Sequence, residues 1–506
     1  MIWKEKTIWF GFLMTIVLFA SVGDKAIHLD ETNFLALTSG EFWAPHLIEI
    51  NWEGRTQRAF DVLSNPPGLS WYLWLARDLD VFFLRSMMIP WVILSMFGVY
   101  LFGEAWKKKG REALWIWLVS PFFGVSSFAL MPDIPLFALI VSGMALLWDK
   151  KYTHVGAFLC GTSALFRYSG ISMIPLVLAW AFFYQRRKWW SLGIVVSLPT
   201  LFLLAHDVMA YQEWHFWHMI SFQAETRSSM QILGQIGAIF AMIFGGFFCV
   251  FSFGLKNVKI WGLTIICLGF LLGLSGFTDL WDIWHYFFYG IGFSLVGHAI
   301  LYFWNEKEYW FILWIFGGIV FLLNLRFMAT RYWVPFMLPI LLFLSGQISL
   351  QKRKILVGIG MMLSFFLTWD DYCLATAQRS LAKDVEKARQ TSACKQGYFA
   401  GHWGWQYYLA SQNWIPIEEE QLIPEDSCIA FSEVSWPQAF QTNCTETNVY
   451  IEEQVRFPIR VHSRYSRVNY HSNYLSTEPA SMGFAPWGFG FDAWDSAHFF
   501  ASCTRF

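Results

Sequence analysis

Residues 86–109 read SMMIPWVILSMFGVYLFGEAWKKK, an apolar run closed by three lysines. The apolar part, about 86–104, is long enough to cross a bilayer core, which takes roughly 20 such residues. The lysines mark its cytoplasmic end, because basic residues are held on that side. Outward from this stretch the pattern recurs. Comparable runs stand near 7–24, 113–130, 134–148, 154–172, 173–185, 189–205, 235–255, 260–277, 286–304, 309–325, 332–349 and 355–370. The sequence therefore predicts about thirteen spanning helices. With Lys4 and Lys6 inside, alternation places Lys107–Lys109 and Arg111, Lys150, Lys151, Arg186, Arg187, Lys188, Lys256, Lys259, Lys307, Lys352, Arg353 and Lys354 on that same side. An odd number of spans leaves the C-terminal part outside.

Composition agrees. The chain is 56% hydrophobic and 14% charged, whereas a soluble domain carries about 25% charge. The deficit ends near Asp370. The expected architecture is an α-helical polytopic transmembrane domain over 1–370. A small extracytoplasmic α/β domain follows over 371–506, with strands near 448–452 and 455–461. The chain is expected as a multi-pass protein of an inner (plasma) membrane, in contact with membrane lipids. A net charge of -1 gives no bulk field to attract nucleic acid. Cys373, Cys394, Cys428, Cys444 and Cys503 lie in the outer part, where disulfides can persist.

The outer loop at 24–85 is far longer than a connection requires, and long ordered loops are usually functional. It is expected to hold two short surface helices. One starts near Asp30, and the other follows Asn65-Pro66-Pro67-Gly68. Another outer loop, about 206–234, carries His206, Asp207, His215 and His218. Inner loops favour lysine, but Arg55, Arg58, Arg77, Arg85 and Arg331 stand outside, and Arg167 is expected inside an apolar helix. Arginine presents a planar fork that binds phosphate oxygens in pairs. Each of these arginines equally suits an ion pair or a lipid headgroup. Asp30, Glu31 and Asp133 lie at the same outer face. Carboxylates there could deprotonate an acceptor or hold a divalent metal ion. Asp30 and Asp133 could also cap the helices that follow them. Gly401-His402-Trp403-Gly404-Trp405 suits a sugar face or a small domain's core.

Four motifs, in order, resemble the GT-C glycosyltransferases. They are His28-Leu29-Asp30-Glu31-Thr32-Asn33-Phe34, Asn65-Pro66-Pro67-Gly68, Met131-Pro132-Asp133-Ile134-Pro135 and Arg331-Tyr332-Trp333-Val334-Pro335. They look most like the branch of protein O-mannosyltransferases and the lipid A aminoarabinose transferase. The resemblance covers roughly 7–370. It implies Asp30 as the active-site base with Glu31 beside it, and Asp133 as a second acid. Arg85, Arg167 and Arg331, from their outer or intramembrane positions, are expected to hold the donor phosphate, and Tyr332, Pro66 and Pro67 of the matching motifs are further expected substrate-binding positions. Arg167 stands where the family often has lysine, and Asn65 where it more often has histidine or lysine.

The expected reaction is inverting transfer of a sugar from a polyprenyl-phosphate donor to a lipid, glycan or protein acceptor on the outer side. The alternative is a multi-helix transporter of a polar or anionic solute, with the same charges as gates.

Overall fold

The computed structural model describes residues 5–52, 54–223, 229–252, 254–255, 280–325, 327–348, 350–392, 394–419, 421–438, 448–452, 460–462, 473–475, 487–490 and 493–501. All the apolar runs except 260–277, which lies outside the described residues, fall on helical elements. The chain is an α-helical polytopic membrane protein with a small α/β part at its C-terminal end. Among the described residues four helices are long and apolar enough to cross a membrane: Val81–Lys107, Arg186–Tyr211, Phe287–Asn305 and Lys352–Thr391. Shorter apolar helices such as Lys6–Val22 and Tyr309–Leu323 accompany them.

The helices that position the site are α1 (Lys6–Val22), α2 (Glu31–Thr38), α3 (Gly68–Trp74), α4 (Ile89–Lys107) and α5 (Asp133–Asp149). Helix α4 begins with Pro90 in its first turn, where the lost N–H is harmless. It ends at Lys108 in a left-handed conformation (φ 56°). Helix α5 is buried almost along its length. Small residues let its neighbours approach. A Cβ on Gly98 of α4 would lie 2.6 Å from Val141, and one on Gly143 would lie 2.6 Å from the Gly156 carbonyl.

Several runs are broken rather than continuous. The 113–130 run divides into helices Gly110–Leu118 and Pro121–Ser126. The 154–172 run breaks before Arg167, which is extended (φ -158°), and restarts as a 3₁₀ turn at Tyr168. Arg167 therefore sits at a gap between helices and not inside one, which corrects the expectation.

The chain continues through α6 (Trp189–Tyr211), α7 (His215–Gln223) and α8 (Leu350–Thr391). Helix α8 has 42 residues, so it extends roughly 63 Å and runs through position 370 without a break. Its polar end packs Leu381, Ala382 and Val385 against Phe399, Trp405 and Trp414 of the α/β part. There, strands β1 (Gln396–Ala400), β2 (Ile415–Pro416), β3 (Ser427–Ser432), β4 (Asn448–Glu452) and β5 (Ser496–Phe500) form one mixed sheet, ordered β2-β1-β3-β5-β4. Pairs β1–β2 and β1–β3 are parallel, and β5 is antiparallel to both its neighbours. Helix α9 (Trp403–Ala410) connects β1 to β2. A Cys394–Cys428 disulfide ties the end of α8 to β3, with the Cα atoms 5.7 Å apart. Of the expected 455–461 strand, 455–459 lies outside the described residues, and Arg460–His462 is a strand.

The long first loop reaches this α/β part. Gln406 donates to the Asn51 carbonyl at 3.1 Å, and the Glu419 N–H donates to the Gly54 carbonyl at 2.7 Å.

Candidate active site

The turn at 23–30 leaves α1 and delivers two acids in opposite directions. Leu29 takes a left-handed conformation (φ 51°), unusual for a branched side chain. Asp30 follows at the N-cap position of α2, but its carboxylate makes no capping hydrogen bond. Asp133 begins α5, and no side-chain cap is made there either. The capping roles open to these two residues on sequence are thus not the ones they take.

Glu31 points inward. Its carboxylate accepts two hydrogen bonds from Arg85, both at 2.8 Å. It also accepts from the backbone N–H groups of His28 and Leu130. The other Arg85 donors reach the carbonyls of Lys25, Ala26 and Phe128. Guanidinium has five N–H groups, and all five are used. Both side chains are 0% exposed. Burial pushes the Glu31 carboxyl up, but Arg85, Lys25 and His28 outweigh it and hold it down at about 2. This pair ties the turn at 25–31 to the turn at 128–130, just ahead of Asp133. Arg85 has no donor left for a ligand.

Asp30 points the other way. It accepts from Arg331 at 2.5 Å and remains 32% exposed. Arg331 also lies 3.9 Å from Asp133. Arg167 donates to the other oxygen of Asp133. The guanidinium of Arg167 stacks on Tyr332 at 4.0 Å from the ring centroid, and that of Arg331 lies 5.4 Å from it. Asp30, Asp133, Arg167, Arg331 and Tyr332 thus form one cluster, drawn from four segments of the chain. Arg167 has one acceptor, Asp133, among the described residues, so most of its donors remain for another anion.

Pro66 and Pro67 are buried and form the lead-in to α3. A Cβ on Gly68 would sit 2.2 Å from the Leu165 carbonyl, so only glycine lets α3 dock here. That contact lies two residues before Arg167. The proline motif therefore acts through the gap that carries Arg167. His46 bonds the Asn65 carbonyl at 3.0 Å and Tyr211 at 3.3 Å. Tyr168 bonds His215 at 2.7 Å, fixing the residue after Arg167. Burial lowers the pKa of His46 to about 4, so the ring is neutral near pH 7.

Other outer arginines take ordinary surface roles. Arg55 pairs with Glu419, Arg58 with Asp61, and Arg77 stacks on Trp74. Lys25 is buried against Asp371 of α8 at 2.8 Å, with His28 3.3 Å from the same carboxylate. Nothing in the spacing of residues 346 apart could signal that contact. Among the described residues no group of three or more His, Cys, Asp or Glu side chains is placed to hold a metal. Asp30 and Asp133 face guanidinium groups, which repel a cation. This arrangement does not fit a divalent ion.

No protein-family model matches the chain, and no curated protein matches it in sequence. Solved structures resemble it at low identity. ArnT from Cupriavidus metallidurans bound to undecaprenyl phosphate is 12% identical, with 85% of this chain and 93% of that one covered and a TM-score of 0.44. An oligosaccharyltransferase from Archaeoglobus fulgidus, tethered to an acceptor peptide with the NVT sequon, is 13% identical. It is covered over 64% of its length and 81% of this chain, with a TM-score of 0.43.

Proposed function

We propose that the chain is a membrane glycosyltransferase that moves one sugar from a polyprenyl-phosphate donor to a lipid, glycan or protein acceptor. The observation that carries this reading is the cluster itself. A partly exposed carboxylate, Asp30, stands beside two arginines at the end of an apolar helix bundle. A lipid-linked phosphate needs that combination: bilayer for its tail, and fixed positive charge for its oxygens.

The steps follow from placement. The donor phosphate engages Arg167 and draws Arg331 away from Asp30. Asp30 then accepts a proton from the acceptor hydroxyl or amine. The freed lone pair attacks the anomeric carbon from the face opposite the phosphate. The bond from that carbon to the phosphate oxygen breaks, with inversion, and the polyprenyl phosphate leaves carrying the electron pair. Arg167 and Arg331, by then both on the phosphate, stabilise the charge that develops. Asp133 holds both arginines in register. Glu31 and Arg85 are read as the staple beneath the site. The site and the α/β part (371–506) are assigned to the extracytoplasmic face of an inner membrane, on the basis of the basic inner loops.

The test is transfer of label from radiolabelled polyprenyl-phosphate sugars by the purified chain, with Asp30→Asn alongside. Label transfer that Asp30→Asn abolishes supports the reading. Uptake of an anion into proteoliposomes, with no label transferred, would favour the transporter instead.

A further inference from the structure

The turns that carry Asp30 and Asp133 are held from below by Glu31 and Arg85. They are held from a second direction by α9, in the α/β part. Leu29, Ala129 and Met131 form a small buried cluster, and Trp403 packs against it. Leu29 immediately precedes Asp30, and Met131 lies two residues before Asp133. One indole therefore packs against a cluster drawn from both acidic turns. The approach is close. A Cβ on Gly404 would lie 2.5 Å from the Ile27 carbonyl and 3.3 Å from His28 Cα. Tyr408 accepts a hydrogen bond from the Ile27 N–H at 2.8 Å. Trp403 itself is left-handed (φ 61°), which sets the direction of its side chain at the start of α9. Leu29 is left-handed as well, a conformation that persists in such a residue only where its surroundings hold it.

We infer that Trp403 is a positioning residue: it locks Leu29 in its left-handed conformation and so fixes the direction in which Asp30 points. The inference rests on the proposed transferase reading for its kinetic consequence, but the locking of the turn can be measured without substrate. Without the indole, Leu29 relaxes toward an ordinary backbone conformation and the Asp30 carboxylate swings off its line. Arg167, held by Asp133 and Tyr332, is untouched. The α/β part then serves the chemistry directly, by setting the base.

The test uses the full chain with Trp403→Ala, Trp403→Phe and Trp403→Leu. Hydrogen exchange is followed at the Glu31 and Thr32 amides, which bond the His28 and Leu29 carbonyls. Binding of undecaprenyl phosphate is measured in parallel, and turnover is measured on whichever polyprenyl-phosphate sugar the wild type accepts. Trp403→Ala should speed exchange at these amides and leave α5 protected. It should lower kcat about ten- to hundred-fold, the size expected for a slightly misplaced group, with phosphate binding not weakened, since the Asp30–Arg331 pair that the phosphate displaces is already loosened. Trp403→Phe should recover most of the loss. If Trp403→Ala fails to fold, Trp403→Leu, which keeps an apolar side chain but not the indole, reads the same contact and should show the same local exchange. Wild-type exchange and turnover in the variants that fold would overturn the inference. A wild type that transfers nothing would remove the transferase reading, while the exchange result would still decide the positioning.

Discussion

Asp30 and Glu31 are neighbours in sequence, and each meets an arginine. Glu31 meets Arg85 with both side chains fully enclosed and every guanidinium donor used. Asp30 meets Arg331 at a partly exposed position, next to an arginine with donors to spare. The chemistry of the two pairs is the same, but the surroundings differ. A buried pair with all its hydrogen bonds satisfied fixes geometry and offers nothing to a ligand. An open pair beside an arginine with unused donors can be taken apart by an anion that binds that arginine. The closed pair also serves the open one, because it joins the turn before Asp30 to the turn before Asp133.

The largest expected effect falls on the open pair. Asp30→Asn keeps the shape but cannot take a proton, so turnover should fall about 10²–10⁴-fold. Thermal unfolding should fall only modestly, since no capping bond is lost and the amide oxygen can still accept from Arg331. Near-normal turnover in well-folded protein would erase the functional half of the comparison.

Arg85→Met should act on folding. Removing one partner leaves Glu31 buried and unpaired, a loss of about 3–5 kcal/mol. The readout is the unfolding midpoint in detergent. A stable variant with impaired phosphate binding would reverse the roles given to the two pairs.

Arg167→Ala strips buried Asp133 of its hydrogen bond and so costs some stability; in the folded protein it should weaken undecaprenyl phosphate binding by about 1.5–3 kcal/mol per charged hydrogen bond lost. Equilibrium binding of the labelled lipid measures it. Unchanged affinity would place the phosphate elsewhere.

The smallest effect is on pH dependence. The Glu31 carboxyl is held at about 2, against 4.5 for the ordinary group. As pH falls, the unfolded chain takes up this proton first. Stability from the pair is therefore fully present above about 4.5 and is lost as pH drops toward about 2. Unfolding midpoints across that window should slope downward. A flat profile would mean that Glu31 is not held as an ion.

The fold was largely legible because its signal is local. A run such as 86–104 declares its helix by composition alone, and the family resemblance pointed to Asp30, Asp133, Arg167, Arg331 and Tyr332, which the structure brings together. The break at Arg167 was not legible. It depends on α3 docking at Leu165 through Gly68, a contact between distant segments. The enclosure of Arg85 was equally hidden, since an outer arginine in sequence looks the same whether its donors face lipid phosphate or protein carbonyls.

By itself, then, the sequence determined that the chain is a bundle of apolar helices with a polar C-terminal part and charges set between the apolar runs. Hydrophobic periodicity and charge placement are properties of neighbouring residues. The tertiary structure alone decided which of two adjacent acids is a staple and which is open. That choice turns on the left-handed backbone at Leu29 and on partners such as Arg331, 301 positions away from Asp30. A carboxylate's role follows from how many donors surround it and how much water reaches it, and both are set by packing between segments that the sequence keeps far apart.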